Sequence, residues 1–181
     1  MSFTIKINGA DTVSAEMQEA LLAGAQTGLE ALGVKGAQLV QDNITTPYGD
    51  LPPAVAFGNL AASIVSTYVR EPAGMGVIIG VGNQLNAAAY AAPVETGARP
   101  HTPPPSALVP WVMKKFGATD EKQALSMAFA ISKSMAKKGT RGHDMFIRAL
   151  EALQPLAGPA LERSIAQSFM THGFVPLGGL A

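Results

Sequence analysis

"SAEMQEALLAGAQTGLEALGVKGAQLVQDNI" (residues 14–44) decides the fold. Leu21, Ala25, Leu29, Leu32, Gly36, Leu39 and Ile44 recur at steps of three, four or five and draw one apolar stripe along a helix. Ser14 is placed to cap its start, and Glu16 sits in the first turn, at the positive end of the helix dipole. Gly24, Gly28, Gly33 and Gly36 argue the other way, because each costs about 1 kcal/mol against alanine inside a helix. Either the helix breaks near Gly33, or another backbone packs closely on that face.

Outward from this helix the pattern changes. "FTIKI" (3–7) alternates apolar and polar residues and reads as a short strand, turned by "NGAD". Residues 45–59 form a Pro/Gly loop. "LAASIVSTYVRE" (60–71) and "GMGVIIGVG" (74–82) read as a β-hairpin about Pro72-Ala73-Gly74. "AAAYAAPVE" (87–95) is expected to be a third strand, with Pro93 at an edge or end. The remainder reads as helices. Ser106 to Phe116 is one, closed by Gly117, with Pro110 assigned to its first turn. Thr119 is the expected cap of the next, which buries Ala124, Ala128, Ile131 and Met135 and stops at Gly139. Two more are expected, from Asp144 to about Leu153 and from Pro159 to about His172. The fold class is therefore α+β: a long N-terminal helix, a small antiparallel sheet and a helical C-terminal half. Residues 1–181 are expected to form a single domain, with 173–181 as a flexible apolar tail.

Composition narrows the function classes. The 13 Lys and Arg balance 13 Asp and Glu, and charged residues make up only 14% of the chain. Such a low-charge surface points to burial against other subunits. The basic excess of a dedicated nucleic-acid binder is missing. There is no cysteine, which excludes disulfides, thiolate metal sites and cysteine nucleophiles and fits a cytosolic origin. The N-terminus lacks the apolar core of a signal peptide, and no stretch approaches the ~20 apolar residues of a membrane span.

Motifs for chemistry are sparse. His101, His143 and His172 share no metal-ligand spacing, so no metal or other cofactor is expected. No G-x-S-x-G elbow is present. "GMGVIIGVGN" (74–83) lacks the Gly-Lys-Ser/Thr of a phosphate loop and fits a strand better. Lys133, Lys137, Lys138 and Arg141 form a basic run that suits a helix C-terminus, or alternatively a face toward DNA or an acidic partner. "PVETGARPHTPPPSALVPW" (93–111) concentrates Glu95, Arg99, His101 and Trp111. Gly97 permits a turn, the prolines stiffen the segment, and Glu95 is expected to pair with Arg99 across that turn. Trp111, with Leu108 and Val112, is expected to pack the following helix onto the sheet. An enzymatic alternative is a small hydrolase centred on Glu95, Arg99 and His101 in a cleft.

Three stretches, in order, resemble the phage head–tail joining and tail-completion family, the neck proteins of long-tailed phages. "FGNLAASI" (57–64) is close to that family's Thr-Gly-x-Leu-x-x-Ser-Ile. "YAAPVETGARPHTPPPSALVPWVMKKFG" (90–117) is similar to its Tyr-Ala-x-x-Val-Glu-x-Gly-Thr-x-Pro-His block, proline run and Trp-containing helix. "ISKSMAKKGTRGHDMFIRAL" (131–150) resembles its Ile-x-x-Lys-Gly-Thr…Phe-x-x-Ala-Leu ending. The chain departs from the family at Phe57 and at Gly142-His143-Asp144, and residues 155–181 have no counterpart.

The resemblance implies a non-enzymatic virion protein, made in the host bacterial cytoplasm, that joins or completes the tail as a ring around the DNA channel. A tail-tube terminator is the alternative within this class. The implied partners are copies of the chain itself, with a hexamer as the candidate ring, and other neck, connector and tail proteins. No membrane partner is expected. Glu95, Gly97, Arg99, Pro100 and His101 are the expected subunit-contacting loop. Lys137, Lys138 and Arg141 are the expected contacts to channel DNA, made without sequence preference, or to a partner ring.

Overall fold

A computed structural model describes residues 2–5, 14–54, 58–72, 74–82 and 87–174. It is α+β, with a long N-terminal helix, a small antiparallel sheet and a helical C-terminal half. The turn at 8–11, Phe57 and most of the C-terminal tail (175–181) lie outside the described residues. No helix among the described residues is long and apolar enough to cross a membrane.

The chain divides into two compact units. The first comprises residues up to Leu39, Val65–Gly80 and Ala149 onward. Helix α1 (Ala15–Thr45) is unbroken, so the glycines do not end it. Ser14 caps it as expected, its Oγ accepting from the Met17 N–H at 3.3 Å. The sheet has the order β1 (Ser2–Ile5), β3 (Gly74–Val81), β2 (Ile64–Glu71). β1 runs antiparallel to β3 with Ser2 opposite Ile78 and Ile5 opposite Met75. β2 and β3 are joined by only two residues, which restricts them to a hairpin. Along β3, the side chains of Met75, Val77 and Ile79 are buried while Ile78 is exposed, as on a one-sided sheet, and Gly76 between them is buried too.

The glycines of α1 are contact points. A Cβ on Gly24 would stand 2.6 Å from the Cα of Ile165, and one on Gly28 would stand 2.9 Å from Leu161 Cδ2. On the sheet side, a Cβ on Gly33 would meet Val77 Cγ2 at 2.5 Å. The close-packing alternative is therefore the one realised: α1 gives up helix propensity so that a second backbone can approach. Ala25 and Leu29 form a core with Met75 and Val77, flanked by Leu22, Tyr68, Leu161 and Ile165. Ser168 Oγ donates to the Ala20 carbonyl at 2.7 Å, tying the two helices further.

That second helix corrects a boundary. The two expected C-terminal helices are one, α6 (Met145–Thr171), with Pro155 and Pro159 inside it. Proline removes a helical hydrogen bond and normally breaks a helix. Here both prolines are exposed, and the opposite face is held by the small-residue contact with α1.

The second unit comprises Val40–Ile64 and Val81–Arg148. Residues 59–62 form one helical turn, α2 (Asn59–Ala62), so the hairpin's first strand starts four residues later than expected, at Ile64. The expected third strand is instead a helix, α3 (Ala88–Thr96), with Pro93 inside. Alanine has the highest helix propensity, and the alanine run outweighs one proline. Helix α4 (Pro105–Phe116) places Pro110 in its second turn, beyond the first-turn position expected for it. It packs against α5 (Glu121–Lys138) through Val112, Ala124 and Ala128. Trp111 and Leu108 join this helix pair, which corrects their expected place on the sheet. Asp120, not Thr119, caps α5, accepting from the Lys122 and Gln123 N–H groups.

Candidate functional site: a glycine-paired hub and its cleft

Two short strands carry the centre of the second unit. β4 (Gly97–Ala98) and β5 (Thr140–Arg141) pair antiparallel, Gly97 opposite Arg141 and Ala98 opposite Thr140. The pairing extends beyond the strands. The His143 N–H donates to the Val94 carbonyl at 2.8 Å, and the Asp144 N–H to the Glu95 carbonyl at 3.1 Å. Three glycines make this possible. A Cβ on Gly97 would overlap the Thr140 carbonyl oxygen, one on Gly139 that of Ala98, and one on Gly142 that of Glu95. Gly97 (φ 79°) and Gly139 (φ 69°) also hold conformations that other residues rarely adopt. Gly97 thus takes the turn expected of it.

Glu95 has a different partner from the one expected. Its carboxylate accepts from the Phe146 N–H at 3.0 Å and the Ile147 N–H at 3.3 Å. These are among the first N–H groups of α6, which have no partner inside the helix. Their donors and the dipole both favour a carboxylate there. Asp144, just before the helix, is at φ 49°. Glu95 thus caps α6 from 51 and 52 residues away and holds no ion pair with Arg99. Arg99 is exposed and has no ion pair among the described residues.

The proline segment 100–104 is fastened to α5. The His101 N–H donates to the Met135 carbonyl at 3.3 Å, and buried Ser132 donates through Oγ to the Pro103 carbonyl at 2.7 Å. His101 Nδ1 lies 2.8 Å from the Arg99 carbonyl, so that nitrogen carries the proton. Pro100 and His101 are exposed. Lys137 and Lys138 are exposed in the last turn of α5. Arg141, expected beside them, is instead committed to Asp50 at 2.6 Å. The guanidinium holds the exposed Asp50 carboxyl below its ordinary value of 3.8.

Beside the hub lies a cleft of about 360 Å³. Pro52, Pro53, Pro93, Tyr90 and Trp111 give it apolar walls, and His101, Lys115, Arg141 and His143 supply its polar edges. Of the three members of the hydrolase alternative, His101 lines this cleft, and Glu95 and Arg99 do not. Among the described residues no three acids or histidines gather to hold a metal ion.

His143, which shares no metal-ligand spacing with the other histidines, is the unusual group here. Its Nδ1 is buried without a hydrogen-bond partner among the described residues. Burial, then the charges of Lys115 and Arg148, push its imidazole below the ordinary value of 6.5, against the smaller opposing pull of Asp144. The sign of the effect on stability follows. Below pH 6.5 the unfolded chain binds a proton that the folded chain resists, so stability falls as pH drops from that value. His143→Phe is expected to flatten this part of the stability curve, measured by denaturant unfolding between pH 7 and pH 5. An unchanged slope would show that other groups set it.

Other side chains make contacts within the second unit. The Lys115 ammonium donates to the Pro53 carbonyl, and the Arg148 guanidinium lies 4.4 Å from the centre of the Tyr48 ring. Asn43 Nδ2 donates to the Met145 carbonyl at 2.9 Å. No family model matches the chain, and comparison with curated proteins and with solved structures finds no match.

Proposed function

We propose that this chain is a non-enzymatic structural protein of the phage neck, forming a ring of identical subunits at the head–tail junction around the DNA channel. The observation that carries this reading is where the resembling blocks fall. Residues 90–117 and 131–150 meet in one hub, joined by backbone pairing and by the Glu95 cap. A block pattern that coincides with a built substructure is better support than the pattern alone.

The surface of the second unit supports the same reading. Phe116 and Phe129 are more than half exposed, and Leu125 is also open, on a chain with few charges. Apolar surface of this kind suits contact between subunits. Arg99, Pro100 and His101 are exposed on a segment anchored to α5 through the His101 N–H, which suits a subunit-contacting loop. Lys137 and Lys138 remain the candidates for DNA or a partner ring.

Arg99→Ala is expected to leave the protein folded and to reduce the yield of infectious particles in a complementation assay. A wild-type yield would remove this loop from the interface.

A further inference from the structure

The two compact units differ in charge. The first carries four Lys and Arg against seven Asp and Glu, and the second carries nine against six. A neutral chain divided in this way attracts its own copies head to tail, the acidic unit of one toward the basic unit of the next.

An exposed ridge on each unit gives that attraction a register. On α5, Lys122, Leu125, Phe129 and Lys133 follow one another at steps of three and four, so they share a side of the helix. All four are exposed, Phe129 at 59%. On α1, Glu19, Ala23, Gln26 and Glu30 do the same, and all four are exposed. Among the described residues neither lysine and neither glutamate has an ion-pair partner. Glu30 accepts a hydrogen bond from Gln26 Nε2 at 2.9 Å, which leaves its charge in place.

The two ridges match in spacing. Glu19 and Glu30 are eleven residues apart, as are Lys122 and Lys133, which is about 16 Å along either helix. Laid antiparallel, the helices bring Lys122 to Glu30 and Lys133 to Glu19. Phe129, four residues from Lys133, then falls opposite Ala23, four residues from Glu19. Ala23 is part of the lining of a recess of about 380 Å³, with Glu19, Leu22, Gln26 and Arg70. An aromatic ring suits such a recess, and the Arg70 guanidinium suits the face of the ring. A parallel arrangement would set Phe129 against the amide of Gln26 instead. Two α5 ridges laid on each other would set lysine against lysine.

We infer that α5 of one copy packs antiparallel on α1 of the next, with Phe129 against Ala23 and the Lys122–Glu30 and Lys133–Glu19 pairs on either side. The contact is heterologous. Each copy keeps one ridge free for a further neighbour, so the contact propagates and closes a ring when its rotation allows. The inference rests on the ring reading for the presence of a second copy, and names the faces that meet.

The chain has no cysteine, so a cysteine pair introduced into the full chain reports on this contact alone. Gln26 and Ser126, both exposed, stand opposite each other in the antiparallel register. Gln26→Cys/Ser126→Cys is expected to give a ladder of disulfide-linked dimers, trimers and larger species under copper–phenanthroline oxidation. Ser126→Cys alone is expected to give none. Adding Lys122→Glu and Lys133→Glu should abolish the ladder, and adding Glu19→Lys and Glu30→Lys as well should restore it. No ladder from the cysteine pair would overturn the contact, as would dimers from Ser126→Cys alone. A stronger ladder from Ala23→Cys/Ser126→Cys would give the parallel register and overturn the antiparallel one. Lysine reversals that abolish binding to a short DNA duplex and leave the ladder intact would assign the α5 ridge to DNA and overturn the charge pairing. The ring reading is judged separately, on particles: heads and tails that need this chain to join, without the ladder, would keep the neck role and place the subunit contact on other faces.

Discussion

Gly142→Ala is expected to lower stability by about 3 kcal/mol, and the melting temperature by roughly 6–12 °C. The added Cβ would overlap the Glu95 carbonyl oxygen and stand 2.7 Å from the Thr96 carbonyl carbon and 2.9 Å from the Gly97 nitrogen. All three atoms are backbone, so no side chain can swing away. They also belong to the paired segments themselves, so relief would require the two loops to part. That would cost the His143–Val94 and Asp144–Glu95 hydrogen bonds together. Net stabilities of proteins are only about 5–15 kcal/mol, so a loss of this size is a large fraction of the whole. Gly158→Ala is the internal control. It lies in α6 with no atom within 4 Å of the added Cβ, and is expected to stabilise by up to about 1 kcal/mol through helix propensity. Thermal unfolding of both variants checks the contrast. Equal, small effects would mean that the loops are not held at this distance.

Glu95→Ala is expected to cost about 1–2 kcal/mol, the range for losing a helix cap whose acceptor is charged. The loss falls on the first turn of α6, where the Phe146 and Ile147 N–H groups lose their acceptor. Hydrogen exchange at those two amides should quicken more than at the middle of α6. Glu95→Gln should fall between, because one amide oxygen still accepts but the charge that suits the helix dipole is gone. Arg99→Ala separates this from the pairing suggested by sequence proximity. If Glu95 were held by Arg99, the two variants would lose similar stability. With Glu95 on α6, removal of Arg99 is expected to change stability by no more than about 0.5 kcal/mol, as for other exposed side chains. Comparable losses from Arg99→Ala and Glu95→Ala would contradict the cap.

These two residues also show where a sequence stops being readable. The long helix was legible because its apolar stripe is local and periodic, and the hairpin because two strands flank a turn. Gly97 was legible as a turn glycine. Its role in bringing two backbones together needed Gly139 and Gly142 as well, more than forty residues away, and glycine spacing alone does not name a partner. Glu95 was misassigned for a similar reason. Arg99 is its nearest opposite charge along the chain, whereas its partners are main-chain N–H groups that leave no mark in the residue code. The strand expected at 87–95 and the helix break expected between about Leu153 and Pro159 are both overturned by context. In α3 the alanine run wins, and in α6 the packing on Gly24 and Gly28 does. His143 was visible only as a histidine after a glycine. Nothing in its neighbours announces that Lys115 and Arg148 face it or that its Nδ1 is buried.

The proposed neck role is open to a direct observation. Electron microscopy of the particles made when this chain is deleted from the genome that encodes it should show DNA-filled heads and separate tails that fail to join. Normal joined, infectious particles in its absence would contradict the role.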